Sequence, residues 1–268
     1  MLVIKIGGAD GVDTNDITAD TAAQAQAGTQ LVIVHGGSGL ATELGKQLGY
    51  PPRFVTSVSG HTSRYTDRRT LDIFLMATAL LNRQLVAQLQ TLGVNAAGLS
   101  GLDGQLLLAE RKDTLRILEN GKRKILRDDY TGRIQQVNPT PLRALLDSGL
   151  TPVIAPVAIS AAGEPLNVDG DRAAAQIAVA LGADRLLILS NVPGLLRDVA
   201  DESSRIPRLP EAQLENAIKT IAQGRMKRKL ISALEALQGG VSQVILADGR
   251  VAQPIQRALH GQGTLING

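Results

Sequence analysis

Residues 1–8 read MLVIKIGG and residues 31–39 read LVIVHGGSG. Each is a short apolar run closed by a glycine pair. A run too short for a helix and apolar almost throughout suits a strand covered on both faces. A glycine pair after such a strand lets backbone N–H groups approach an anion closely, helped by the start of a following helix. Three more runs are apolar in the same way, without a closing glycine pair: Pro152–Ile159, Arg185–Ser190 and Val244–Ala247. Helix-period segments lie between them. Leu40, Leu44 and Leu48 recur at every fourth residue. Leu71, Phe74, Leu75, Leu81, Leu85 and Leu89 mark a longer helix, with Thr66 or Asp67 as N-cap. Leu142, Leu145 and Leu146 form another apolar face, and Ala173–Leu181 predicts a tightly packed helix. This alternation predicts an α/β fold with a mainly parallel sheet and helices on both sides.

One stretch breaks the rhythm. Residues 106–137 read LLLAERKDTLRILENGKRKILRDDYTGRIQQV, with Asn120-Gly121 between two β-like runs. Both residues tolerate positive φ, so the stretch predicts an antiparallel excursion from the main sheet. No repeat, low-complexity segment or long linker divides the 268 residues, which fit one large α/β unit. Cysteine is absent, which excludes disulfides and thiolate metal sites. Aromatics are limited to Tyr50, Phe54, Tyr65, Phe74 and Tyr130, which argues against base-stacking nucleic-acid recognition. No apolar run approaches the roughly 20 residues of a membrane span. The opening residues lack the layout of a secretory signal, so a cytoplasmic protein is expected.

Several residues stand out chemically. Lys5 lies inside an apolar strand, where it either meets an anionic partner or snorkels to water from an edge position. A third glycine turn, Leu99-Ser100-Gly101, follows another strand candidate. Asn167-Val168-Asp169-Gly170-Asp171 precedes the Ala-rich helix; its carboxylates could orient lysines, touch Mg²⁺ through water, or cap the helix. Gly224-Arg225-Met226-Lys227-Arg228-Lys229 puts cations at a helix start, where the helix dipole prefers anions. That run is either a solvated face or the seat of an anionic ligand. Neither a Walker A sequence nor a dinucleotide fingerprint is present. His35 could touch a ligand or pack within its turn, and His61 and His260 have no metal-ligand spacing.

Taken in order, Lys5–Gly8, His35–Gly37, Arg64 within SRYTD, Asn167–Asp171, SNVPGLL at 190–196 and GRMKRK at 224–229 resemble the amino acid kinase family, in its acetylglutamate kinase branch. The likeness extends over essentially the whole chain. It is strongest to kinases of lysine biosynthesis that act on 2-aminoadipate attached through its amino group to a small acidic carrier protein, LysW. The resemblance implies a three-layer α/β/α sandwich of the carbamate kinase type. It also implies an acceptor and dimerisation lobe over about residues 1–165 and an ATP lobe over about residues 166–268. Lys5, Lys229 and Asp171 take the catalytic places, with Asp171 holding both lysines. Lys5, Gly7, Gly8, Ser190, Asn191, Gly194, Leu195, Met226 and Lys229 are the implied ATP residues. Gly36, Gly37, Arg64 and Asn167 are the implied acceptor residues. ATP is the implied co-substrate and Mg²⁺ the implied cofactor, with no protein metal ligand assigned. Asp169 stands for a usual Asn, Asn191 for a usual Asp and Arg225 for a usual Gly.

A carboxylate is already nucleophilic at neutral pH, so its phosphorylation needs charge cancellation more than a general base. In the excursion, Arg111, Lys112, Arg116, Lys122, Arg123, Lys124 and Arg127 outnumber the acids. They are expected either to steer an acidic carrier or to protect a sheet edge from aggregation. Together with the SRYTD likeness, this makes carrier-linked 2-aminoadipate the expected acceptor, with linked glutamate and free N-acetylglutamate as alternatives. A nucleotide-binding regulator without turnover is the alternative of another class. A homodimer seamed along the Leu71–Leu89 helix is expected. Starting directly at the first strand, the sequence lacks the leading helix of arginine-sensitive relatives, so insensitivity to arginine is expected. No nucleic-acid or membrane partner is expected.

Overall fold

The computed structural model describes residues 1–8, 14–58, 60, 62–119 and 122–268. The chain runs β1 (Leu2–Ile6), α1 (Thr14–Gln26), β2 (Leu31–His35), α2 (Ser38–Gln47), β3 (Phe54–Ser57), β4 (Thr62–Arg64), α3 (Arg68–Thr91) and β5 (Ala96–Ser100). It continues through β6 (Leu107–Arg111), β7 (Thr114–Glu119), β8 (Lys122–Arg127), β9 (Gly132–Val137), α4 (Thr140–Asp147), β10 (Thr151–Ala155), β11 (Val157–Ile159) and β12 (Pro165–Asn167). Then come α5 (Gly170–Leu181), β13 (Arg185–Ser190), β14 (Arg208–Pro210), α6 (Glu211–Thr220), α7 (Gly224–Gln238), β15 (Gln243–Asp248), α8 (Pro254–Leu259) and β16 (Thr264–Asn267).

Eight strands form one sheet in the order β14-β16-β15-β13-β1-β2-β10-β5. It is parallel apart from the β15–β16 pairing. Alternate residues of a strand point to opposite faces. Val3, Val34 and Ile188 therefore pack with α4 to α7, while Ile4, Ile33 and Leu187 pack with α1, α3 and α8. This is the expected three-layer α/β/α sandwich. β1 lies between β2 and β13, where the chain changes the direction in which it adds strands. The carboxyl ends of those three strands open onto the crevice that such a switch point creates.

Two readings of the sequence need correction. The apolar run Pro152–Ile159 is two strands rather than one. β10 belongs to the main sheet, and β11 belongs to a four-stranded sheet ordered β12-β11-β6-β9. Pro156 separates them and has no N–H with which to continue a ladder. The 106–137 excursion is antiparallel, but it is shared between two sheets: β6–β9 in the one just named, and β7–β8 in a third ordered β4-β3-β7-β8. Glu119 pairs with Lys122; Asn120 and Gly121, on which the hairpin signal rests, lie outside the described residues, as does His61. Of the two N-cap candidates for α3 it is Asp67 that caps, accepting the Thr70 N–H at 2.8 Å.

Candidate active site

Lys5 shares the face of β1 that Val3 presents to α5 and α7. Its ammonium lies 2.7 Å from Asp171 Oδ1, off the hydrogen-bonding direction, so the contact is chiefly Coulombic. Lys229, in the second turn of α7, donates to Asp171 Oδ2 at 3.0 Å. β1 is central and Lys5 is only 7% exposed, so the edge reading of this lysine does not hold. Burial pushes the Asp171 carboxyl up, but the two ammonium groups outweigh it and hold Asp171 well below the usual carboxylate range. Burial lowers the Lys229 ammonium, against the pull of Asp171. Two cations share one anion, so the crevice keeps a positive excess. The capping and lysine-orienting readings of this cluster both apply, to different residues. Asp169 caps α5 by accepting the N–H groups of Asp171 and Arg172 at 2.9 and 3.1 Å, while Asp171 faces the lysines.

The first two glycine turns lie backbone against backbone. Gly36 N–H donates to Ile6 O at 2.9 Å, and Gly39 N–H to Gly8 O at 3.1 Å. A Cβ on Gly36 would sit 2.6 Å from Gly8 N, and one on Gly8 would sit 2.8 Å from Gly37 N, so no larger residue fits either place. A Cβ on Gly7 would meet Leu189 O at 2.8 Å. The third turn does not join the site. Its Ser100 N–H is taken by the Asp103 carboxylate at 2.6 Å, and Gly101 is packed against Val157 and Leu107.

His35 faces the opposite layer, toward α3. Its Nδ1 lies 2.6 Å from Gly36 O, which can only accept, so Nδ1 carries the proton. Its Nε2 then accepts from Asn82 Nδ2 at 3.1 Å. Burial pushes the imidazole down to about 4, so the ring is neutral at physiological pH. This is the packed-turn reading of His35.

Arg64 reaches from β4 to the residue that follows Gly37. It donates to Ser38 O at 2.9 Å and to Thr42 Oγ1 at 2.8 Å, and it lies 5.1 Å from the Phe54 ring centroid. It is 8% exposed and has no carboxylate partner among the described residues. Asn167 ends β12 two residues before Asp169 and donates to Thr66 Oγ1 at 3.1 Å.

On the other side of the crevice, Ser190 ends β13 and Asn191 is exposed at the start of the loop. Gly194, at φ +146, and Leu195 anchor that loop. Leu195 N–H donates to Thr264 Oγ1 at 2.9 Å and its side chain is buried in the core. Met226 is half-buried in the first turn of α7, and the N-cap Gln223 makes no side-chain capping bond. A cavity of about 460 Å³ opens between loop and helix, lined by Arg197, Asp198, Val199, Ala200, Ile221 and Gln223. Among the described residues no group of three or more His, Asp or Glu stands together as a metal-binding set.

Buried lysines on one carboxylate, two abutting glycine turns and an uncapped cationic helix start form an anion-binding crevice. The sequence model of the amino acid kinase family matches residues 1–248. The chain belongs to this family. A Deinococcus radiodurans protein named LysW-aminoadipate kinase is 51% identical over 268 residues, covering all of this chain and 91% of that protein. A Thermus thermophilus protein of the same name is 47% identical, covering 99% of this chain and 100% of that protein. Among solved structures, N-acetylglutamate synthase from Neisseria gonorrhoeae, complexed with coenzyme A and N-acetyl-glutamate, superposes with a TM-score of 0.81 at 26% identity. The match covers 100% of this chain and 59% of that one.

In this amino acid kinase the parts played by four further residues are visible only in the fold. Ser38 and Thr42 hold Arg64. Asn82 orients His35 from a helix 47 residues away. Arg228 links α7 to Thr62 O at 3.3 Å and to Asp169 Oδ2 at 3.7 Å. Each belongs to an ordinary helical or strand pattern, and only the long-range packing gives it a neighbour in the site.

Proposed function

We propose that this amino acid kinase transfers the γ-phosphoryl group of ATP to the side-chain carboxylate of 2-aminoadipate held through its amino group on the LysW carrier, giving an acyl phosphate in lysine biosynthesis. The observation that carries this reading is the convergence of Lys5 and Lys229 on Asp171, beside the two abutting glycine turns. The names of the relatives supply the acceptor. The acceptor carboxylate oxygen attacks the γ-phosphorus in line, the bond from phosphorus to the bridging oxygen breaks, and ADP leaves with the electron pair. Lys5 and Lys229 cancel the charge of two anions brought together, and Asp171 fixes where their ammonium groups point. Gly7, Gly8 and Lys229 hold the phosphates; Ser190, Asn191 and Met226 border the nucleoside, with Gly194 and Leu195 keeping the loop in place. Gly36 and Gly37 receive the reacting carboxylate. Arg64 binds the α-carboxylate, which supplies the anion that this buried guanidinium lacks. Asn167 contacts the blocked amino group.

Both Asp171 oxygens face lysines, and among the described residues no acidic set stands nearby, so the residues present do not form a protein cage for Mg²⁺. A Mg²⁺ ion would be held chiefly by nucleotide phosphates and would supply further neutralisation of their charge. The acceptor lobe runs to about residue 165 and the ATP lobe from about 166, within one continuous sheet. We assign the protein to the cytoplasm on the biosynthetic role proposed above. No helix among the described residues is long and apolar enough to cross a membrane. Homodimerisation along α3 is supported by Met76 and Leu80, which are 49% and 50% exposed one turn apart; sedimentation velocity tests it. The function is tested by ADP release with the aminoadipate conjugate of LysW, with free N-acetylglutamate and without acceptor. Release only with the conjugate is expected. Equal release with free N-acetylglutamate moves the acceptor to the smaller molecule, and no acceptor-dependent release with either substrate overturns the kinase reading.

A further inference from the structure

The two faces of the β7–β8 ribbon differ. Pairing of Arg116 with Ile125 and Leu118 with Arg123 puts these four on one face, and alternation adds Arg127. All five are exposed, and Leu118 and Ile125 remain 42% and 61% accessible. On the opposite face Ile117 is buried, and Lys124 is tied to Glu119, which also holds Arg53 at 2.8 Å. Among the described residues Arg116, Arg123 and Arg127 have no acidic partner. The exposed face also leads toward Arg64. Across β3, Leu118 pairs with Thr56, and two residues before Thr56, Phe54 pairs with Arg64, so Phe54 and Arg64 lie at the inner end of this face.

We infer that this face, with Arg116, Arg123 and Arg127 around Leu118 and Ile125, is the docking surface for an acidic protein domain that delivers the acceptor. The inference rests on the carrier-linked reading above and adds where the carrier sits. Unpaired arginines interleaved with exposed aliphatic side chains offer both parts of a protein contact: charge that selects an acidic partner, and apolar area that excludes water once it arrives. Small anionic metabolites would use the charge alone. A carrier seated here reaches Arg64 along the strands without crossing the nucleotide side. Simple edge protection is a competing reading, since β8 is the outer strand of its sheet and carries two cations on each face, but it gives no reason to leave Leu118 and Ile125 exposed between the arginines.

The test compares two variants that each remove two positive charges from β8. Arg123→Gln with Arg127→Gln alters the exposed face, and Lys122→Gln with Lys124→Gln alters the other. With the aminoadipate conjugate of LysW, the first is expected to raise KM about tenfold or more and the second less than about threefold. Ile125→Ser, which changes no charge, is expected to raise KM on its own. ATP affinity by titration and the melting temperature report that each variant is folded. Equal effects from the two pairs, or none from either, overturn the docking face. Failure of the unaltered enzyme to phosphorylate the conjugate instead counts against the functional reading.

Discussion

The Lys5–Asp171–Lys229 cluster and the outer face of β7–β8 are both cationic, yet they treat charge in opposite ways. In the cluster all three residues are 7–9% exposed and each cation has the same carboxylate for a partner. On the β7–β8 face the arginines are exposed and without an acidic partner among the described residues. Buried charge is costly unless paired, so the fold can keep two lysines in its interior only with Asp171 between them. Exposed charge costs little and stays available to a visitor. The interior arrangement suits stabilising one transition state, and the surface arrangement suits recruiting a partner. Substitutions in the first should therefore act on kcat and those in the second on KM.

The largest expected effect is on the cluster. Lys5→Ala and Lys229→Ala should each lower kcat by two orders of magnitude or more, about 3 kcal/mol each. KM for the carrier conjugate should change little. Single-turnover phosphoryl transfer measures the chemical step directly. A near-normal step in both variants would remove the assigned roles and with them the contrast.

Much of this arrangement can be read from the residues. β1, β2 and β13 stand where their apolar runs place them, and Lys5 was conspicuous because its strand is otherwise apolar. The Asp67 cap and the period of Leu71–Leu89 mark α3. The sorting of strands among three sheets is not legible, because β6, β7, β8 and β9 all read as short half-polar strands. Their partners, β11 and β3, are set by long-range packing. The isolation of the Leu99–Gly101 turn is equally hidden, since it depends on Asp103 folding back over Ser100. The aromatics also gain meaning only in three dimensions. Arginines stack over Tyr50, Phe54, Tyr65 and Tyr130, each from a position well removed in sequence.

The interior should also carry a pH dependence that the exposed arginines cannot. His35 is held down to about 4 by burial, against an ordinary value near 6.5. Between those values the unfolded chain binds a proton that the folded chain refuses. Stability contributed by neutral His35 is therefore complete above pH 6.5 and falls as pH drops toward 4. At about pH 5 the loss should be about 2 kcal/mol. Denaturant unfolding across this window should show the slope, and His35→Gln should flatten it. An unchanged slope would mean that the ring is not held neutral by its place between Gly36 and Asn82.

Arg64 lies between the two regimes, being buried like the lysines but without an acid. Arg64→Lys keeps the charge and loses the planar fork that Ser38 and Thr42 position. KM for the acceptor should rise about tenfold to a hundredfold, with ATP affinity unchanged, as read by initial rates and nucleotide titration. A fall in kcat alone would move Arg64 from acceptor binding to the chemical step.

The smallest effect is expected at Asp169, where a charge is present but little used. Its Oδ1 performs the capping of α5, and an Asn oxygen could accept the same two N–H groups. What Asp169→Asn removes is the attraction to Arg228 at 3.7 Å, a separation too long for a strong hydrogen bond between groups that are both partly exposed. Thermal unfolding should shift by less than about 1 kcal/mol. A much larger loss would mean that Arg228, which also holds the Thr62 carbonyl, needs this carboxylate to keep α7 joined to β4. Paired surface charge would then be structural here, and the division between a buried working cluster and a merely available exterior would have to be drawn beyond Asp169.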